Sequence, residues 1–254
     1  MADVTASTQR LDLELVERSL ASSRERAQAL IAAGLVEVDG RLAVSAGRRV
    51  SSQVEVRLIG SDHPWASRGG LKLDAALDEF AISPAGRVCL DAGASTGGFT
   101  DVLLSRGAAR VYAVDVGHGL LATRIAGDVR VTVIDRTNLR TLRELPGAPP
   151  DLVTLDLSFI SLRLVLPAVA ALTARPADIV ALFKPQFELG REAVGRGGVV
   201  RDVAVGVAAA AEFLTWVGDE YQAEHPHPPM AAPIRGAKGN QEHLVHFRLP
   251  GAAP

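Results

Sequence analysis

The chain has 254 residues, 48% of them hydrophobic and 22% charged, with a formal net charge of −2, enough for one large core and one small one. That charge excludes a general attraction to nucleic acid, so any RNA or DNA binding must come from a local patch. One cysteine (Cys89) excludes an intrachain disulfide, the first twenty residues carry acids and no apolar signal core, and "LVLPAVAALTA", between Arg163 and Arg175, is too short to cross a bilayer; a cytoplasmic protein with no membrane partner is the expectation.

Residues 1–60 read as a small α+β unit. Leu11, Leu15 and Val16 recur at helical spacing, and a second helix passes through Ala27, Leu30 and Ile31 to a glycine stop at Gly34. "LVEVDGRLAV" then alternates apolar and polar residues around Asp39-Gly40, a strong hairpin signal. Helix, helix and hairpin in that order resemble the S4 RNA-binding domain. In that reading Arg10, Arg18, Arg24, Arg26, Arg41, Arg48 and Arg49 contact RNA phosphates. Eight arginines and eight acids occur in this stretch, so the reading requires the arginines to share one face.

"GSDHPWASR", with residues 61–67 at its centre, is turn-rich and reads as a linker in which Trp65 packs between domains. From 68 to 254 strand-like and helix-like segments alternate, the pattern of an α/β domain with a mostly parallel sheet covered on both faces. Strands are expected near 87–92, 110–115, 131–135, 151–157, 178–184 and 242–248. Ligands of such sheets bind beyond the carboxyl ends of the strands.

The first of those ends is "LDAGASTGGFTDVLL", where Asp91 closes a strand and Gly93, Gly97 and Gly98 turn into a helix near Phe99. As a dinucleotide fingerprint the turn fails at Ser95, where a pyrophosphate requires glycine. As a nucleophile elbow around Ser95 it lacks a downstream acid and histidine placed together at strand ends to complete a triad. "AVDVG" ends the next strand with Asp115 and Val116, placing a second carboxylate 24 residues after Asp91, as expected for a nucleoside's ribose hydroxyls. Asp135 and Thr137 close the third strand and could read an adenine edge. Two acids beside a glycine turn that has no pyrophosphate glycine suit S-adenosylmethionine, with Asp91, Gly93, Ser95, Gly97, Gly98, Phe99, Asp115, Val116, Asp135 and Thr137 as its candidate contacts.

Of 27 basic residues 24 are arginine; the lysines are Lys72, Lys184 and Lys238. A buried ammonium can lose its proton and a guanidinium effectively cannot, which marks Lys184, at the end of "VALFKPQFE", as a candidate for chemistry. Asp156 ends the neighbouring strand, Glu242 opens the last, and Lys72 lies on a helix before the sheet. The stretches "SRGGLKL", "LDAGASTGGFTDVLL", "AVDVG", "DLSFISL", "KPQFE" with "GGVVRD", and "KGNQE" resemble the TlyA, or hemolysin-A-type, ribosomal RNA methyltransferases, an S4 domain joined to an FtsJ-like 2′-O-methyltransferase domain. The resemblance implies a Rossmann-like seven-stranded sheet. It also implies a catalytic tetrad of Lys72, Asp156, Lys184 and Glu242 and methylation of cytidine 2′-hydroxyls in ribosomal RNA, with ribosomal subunits as partners and no metal. A non-catalytic ribosome-assembly factor and a membrane-active cytolysin are the alternatives.

Overall fold

In the computed structural model, which describes residues 8–21, 23–59, 63–190, 192–195, 197–236 and 239–251, the amino-terminal unit is organised by its turns. Lys238 lies outside the described residues. Strand β1 (Thr8–Arg10) runs directly into α1 (Leu11–Glu17), and α2 (Arg24–Ala32) follows, capped by the Ser23 side chain, which accepts from Arg26 N at 3.1 Å. Gly34, at φ 70°, stops that helix. Between β2 (Val36–Val38) and β3 (Arg41–Leu42), Asp39 and Gly40 both take positive φ, the geometry a two-residue hairpin demands. Strand β4 (Arg49–Ser51) pairs with β1, and β5 (Val56–Leu58) with β2. Leu11, Leu15, Ala27, Leu30, Ile31, Val36, Val38 and Val50 form its core.

Trp65 packs over α3 (Gly69–Glu79), so closely that a Cβ on Gly70 would overlap the indole. Beyond it the chain alternates as its apolar runs require: β6 (Val88–Ala92), α4 (Gly98–Ser105), β7 (Arg110–Val114), α5 (Thr123–Ala126), β8 (Val131–Ile134), β9 (Leu152–Leu155), α6 (Leu166–Leu172), β10 (Ala177–Phe183), α7 (Pro185–Glu188), α8 (Val203–Tyr221), β11 (Met230–Ala231) and β12 (His243–Leu249). The order across the sheet is β11-β12-β10-β9-β6-β7-β8; β10 through β8 are parallel, while β11 and β12 are antiparallel. Strand order reverses at β6, which lies between β7 and β9, so the crevice of a doubly wound sheet opens there. Both faces are covered: Tyr112, Val153, Phe183, Phe213 and Phe247 pack on one side, and Leu73, Leu77, Phe80, Leu103 and Val180 on the other. Cys89 is buried in the second layer, and burial pushes its thiol up to about 12, as for an inert core residue.

Candidate active site

Sheet register brings the sequence's scattered acids and lysines to one end. Asp156 leaves β9 and Lys184 leaves the adjacent β10, with Lys184 Nζ 2.6 Å from Asp156 Oδ1 and donating also to Ser158 Oγ at 3.1 Å. Because β12 runs antiparallel with His243 opposite Phe183, Glu242 arrives beside the end of β10. Lys72, on α3, reaches Glu242 Oε2 at 2.6 Å. Both lysine side chains are about nine-tenths buried, and Gly236 carries no Cβ because the Glu242 carboxylate fills that space. Burial opposes ionisation of Asp156, but the Lys184 and Lys72 cations outweigh it and hold its carboxyl below the usual range.

The glycine turn after β6 abuts this cluster. A Cβ at Gly93 (φ 85°) would overlap the Asp156 carbonyl, and one at Gly98 would overlap the Ser67 hydroxyl. These glycines thus let the turn pack against β9 and the start of α3. Gly97 (φ 96°) packs instead against Leu121 and Ile125. Asp115 ties the turn to the next strand end: one oxygen accepts from Ser95 N at 2.8 Å, the other from Gly117 N at 2.7 Å. Asp135 accepts from Gly119 N at 2.8 Å and meets His118 Nδ1 at 3.0 Å, and the Thr137 hydroxyl donates to the Asp135 carbonyl at 2.9 Å. Val116 is exposed. Asp91 is wholly buried, accepting from Thr100 Oγ1 at 2.6 Å and Thr154 Oγ1 at 3.2 Å; burial first, and the Asp156 charge second, push its carboxyl up to about 7.

A cavity of about 380 Å3 joins the two halves, walled by Gly93, Ser95, Gly98 and Phe99 and by Lys72, Asp156, Lys184 and Glu242. Asp91, Gly97, Asp115, Val116, Asp135 and Thr137 lie outside its wall. One family model, the FtsJ-like methyltransferase, matches residues 65–249, and another, the S4 domain, matches residues 9–56. The chain belongs to the FtsJ-like methyltransferase family. It is 49% identical over 247 residues, 94% of this chain and 89% of the relative, to the Mycobacterium tuberculosis protein named 16S/23S rRNA (cytidine-2′-O)-methyltransferase TlyA. It is 36% identical to Hemolysin A of Brachyspira hyodysenteriae, across 94% of this chain and 99% of that one. Among solved structures, a hemolysin candidate from Streptococcus thermophilus superposes with a TM-score of 0.74 at 35% identity, covering 98% of this chain and 91% of that one.

In this FtsJ-like methyltransferase the S4 unit also forms part of the cavity wall, through Ala29, Ala32 and Ala33 of α2. The sequence gives no sign of this, since three alanines carry no chemical signal; Ser67, Arg68, Ser158, Gln186 and Asn240 were missed likewise. Arg26 donates to the Leu120 carbonyl across the domain boundary, and burial lowers its guanidinium pKa. Arg10 and Arg24 bind the buried Asp12 at 2.8 and 3.0 Å, and Arg18 binds Glu14 at 2.6 Å and the carbonyls of Val54 and Ser52. Arg41, Arg48 and Arg49 are exposed, and Arg49 donates to the Thr8 carbonyl. Among the described residues no group of three or more His, Cys, Asp or Glu is placed to hold a metal, and no helix is long and apolar enough to cross a membrane.

Proposed function

We propose that this methyltransferase transfers a methyl group from S-adenosylmethionine to the 2′-hydroxyl of a cytidine ribose in ribosomal RNA. The observation that carries the proposal is the pair of lysine–carboxylate contacts, half-buried Lys184–Asp156 and buried Lys72–Glu242, opening on the same cavity as the glycine turn after β6. Substrate class comes from the name of the 49% identical relative.

The residues fit the cofactor. Gly93, Ser95, Gly98 and Phe99 offer backbone and one aromatic ring on the cavity wall. Each Asp115 oxygen accepts a single backbone N–H, which leaves lone pairs for ribose hydroxyls, and Asp135 and Thr137 stand at the next strand end for an adenine edge. When bound, S-adenosylmethionine supplies an electrophilic methyl group on a sulfonium. The protein's task is then to orient a weakly acidic hydroxyl and deal with its proton. Lys184 is assigned to that oxygen: the ammonium paired with Asp156 first releases its proton to solvent, the resulting amine takes the hydroxyl proton, and the regenerated ammonium steadies the developing negative charge. Asp156 and Ser158 fix its position, and Glu242 fixes Lys72, whose charge polarises the site. Arg41 and Arg48 on the S4 unit and Arg68 and Arg235 at the cavity are the candidates for RNA phosphate.

Neither a lytic role nor a purely structural role in ribosome assembly accounts for two such ion pairs beside a glycine turn. Mapping ribose methylation on ribosomal RNA from cells with and without this gene tests the proposal. Loss of one or more 2′-O-methylcytidines is expected; an unchanged map would refute it.

A further inference from the structure

Gln186 lies on α7, two residues past Lys184, on the wall of the same cavity. Its Oε1 is buried, and among the described residues no protein group hydrogen-bonds to it. Native folds leave few buried acceptors unmet, and those few call for an explanation. The surroundings hold the backbone that carries this amide in place. Pro185 is buried, with the Gly206 backbone beside it; Phe187 N donates to the Lys184 carbonyl at 2.8 Å; and Leu189 N donates to the Pro185 carbonyl at 3.0 Å. Glu188 then clamps α7 to the loop after β9, accepting from Ser161 Oγ at 2.6 Å and Leu162 N at 2.7 Å. An unmet acceptor on a residue of the cavity wall is the arrangement expected of a reader of ligand donors.

We propose that Gln186 Oε1 accepts a hydrogen bond from the exocyclic amine of the target base and so selects cytosine over uracil. The inference rests on the assignment of Lys184 to the ribose hydroxyl. Two residues of chain span at most about 7 Å, comparable to the distance from a 2′-hydroxyl to the far edge of its own pyrimidine. Cytosine presents an N4 amine at that edge and uracil a carbonyl, so uracil would set an acceptor against an acceptor. The cofactor's amine is the poorer partner, because the glycine turn follows β6 and β9 lies between it and β10.

The test is single-turnover methylation of ribosomal RNA fragments carrying the mapped target nucleotide as C or as U, with S-adenosylmethionine affinity measured by calorimetry in parallel. Wild type should prefer C by about 5- to 150-fold, the range of one hydrogen bond to an otherwise unmet acceptor. Gln186→Met should bring the ratio towards one by slowing C, with unchanged cofactor affinity. Gln186→Asn, which withdraws the same amide by one methylene, should narrow the ratio likewise and decides the matter if the Met variant unfolds. Equal slowing of C and U would make Gln186 a structural amide, weakened cofactor binding would place it on the cofactor side, and a wild type that accepts U as readily as C would remove the selectivity; each overturns the proposal. Methylation of neither RNA by wild type would instead overturn the parent assignment of cytidine as substrate.

Discussion

Replacing Lys184 in two ways separates its charge from its proton chemistry. The side chain is 9% exposed, with Nζ 2.6 Å from Asp156 and 3.1 Å from Ser158. Lys184→Met removes the direct partner of a half-buried carboxylate and leaves Lys72 as the other cation acting on it. Stripping one member from a fully buried pair costs about 3–5 kcal/mol, out of the roughly 5–15 kcal/mol that stabilises a domain, and the partial exposure of Asp156 puts the loss here below that range. Lys184→Arg keeps the charge, and the fork of the guanidinium can still bind Asp156. Its stability cost is therefore that of overpacking, about 1–3 kcal/mol. The two should converge in chemistry, because neither methionine nor a guanidinium accepts a proton; both should lose about 10²–10⁴-fold in single-turnover methylation of ribosomal RNA. Urea unfolding, cofactor calorimetry and the methylation assay on the same preparations give the comparison. Near-normal turnover by the arginine variant would show that charge alone suffices, and the proton-accepting role would fall.

Asp91 makes stability depend on pH. Its folded pKa of about 7 lies above the unfolded value of about 4, so the stability given by its neutral form is present below pH 4 and lost as pH rises through about 7. Asp91→Asn retains partners for Thr100 and Thr154 and removes this dependence; urea midpoints should favour the variant at pH 8, by at most about 4 kcal/mol, and by only about 1.5 kcal/mol at pH 5, while an equal difference at both would refute the shift. Asp115→Ala should weaken S-adenosylmethionine binding strongly in a folded protein, by losing both the ribose acceptor and the tie between Ser95 and Gly117; unchanged calorimetric affinity would sink that assignment. Gly93→Ala forces a Cβ against the Asp156 carbonyl at positive φ, and a loss of at least 1–3 kcal/mol in thermal unfolding is expected. A chain beginning at His63 should still bind cofactor and fail to methylate ribosomal RNA, since it lacks the S4 unit and the alanine wall of α2; full activity would refute an S4 role in delivery.

The sheet was legible because its strands are short apolar runs between turn residues, and all six expected strands appear within two residues or so of their predicted bounds. Two-residue β11 carries too little pattern to be seen. Asp39-Gly40 marked its hairpin because only a few residue types tolerate two successive positive φ values. Pairing within the lysine–acid cluster was beyond reach of spacing: Lys72 meets Glu242 across 170 positions, a contact created by the antiparallel register of β12. The contacts of the arginines were equally out of reach. Composition counts a charge without its partner, and Arg10, Arg18 and Arg24 are tied to acids of their own unit, while Arg26 is a tether to the catalytic domain.

The chemistry assigned to the Lys184 cluster is the placing of a methyl group on a ribose oxygen. Its most direct test is to incubate purified protein and S-adenosylmethionine with ribosomal subunits from cells lacking the gene, then identify the modified nucleoside by mass spectrometry. Wild type should form 2′-O-methylcytidine, and Lys184→Arg should form it about 10²–10⁴-fold more slowly. A methyl group on a base, or equal product from the arginine variant, would contradict that assignment.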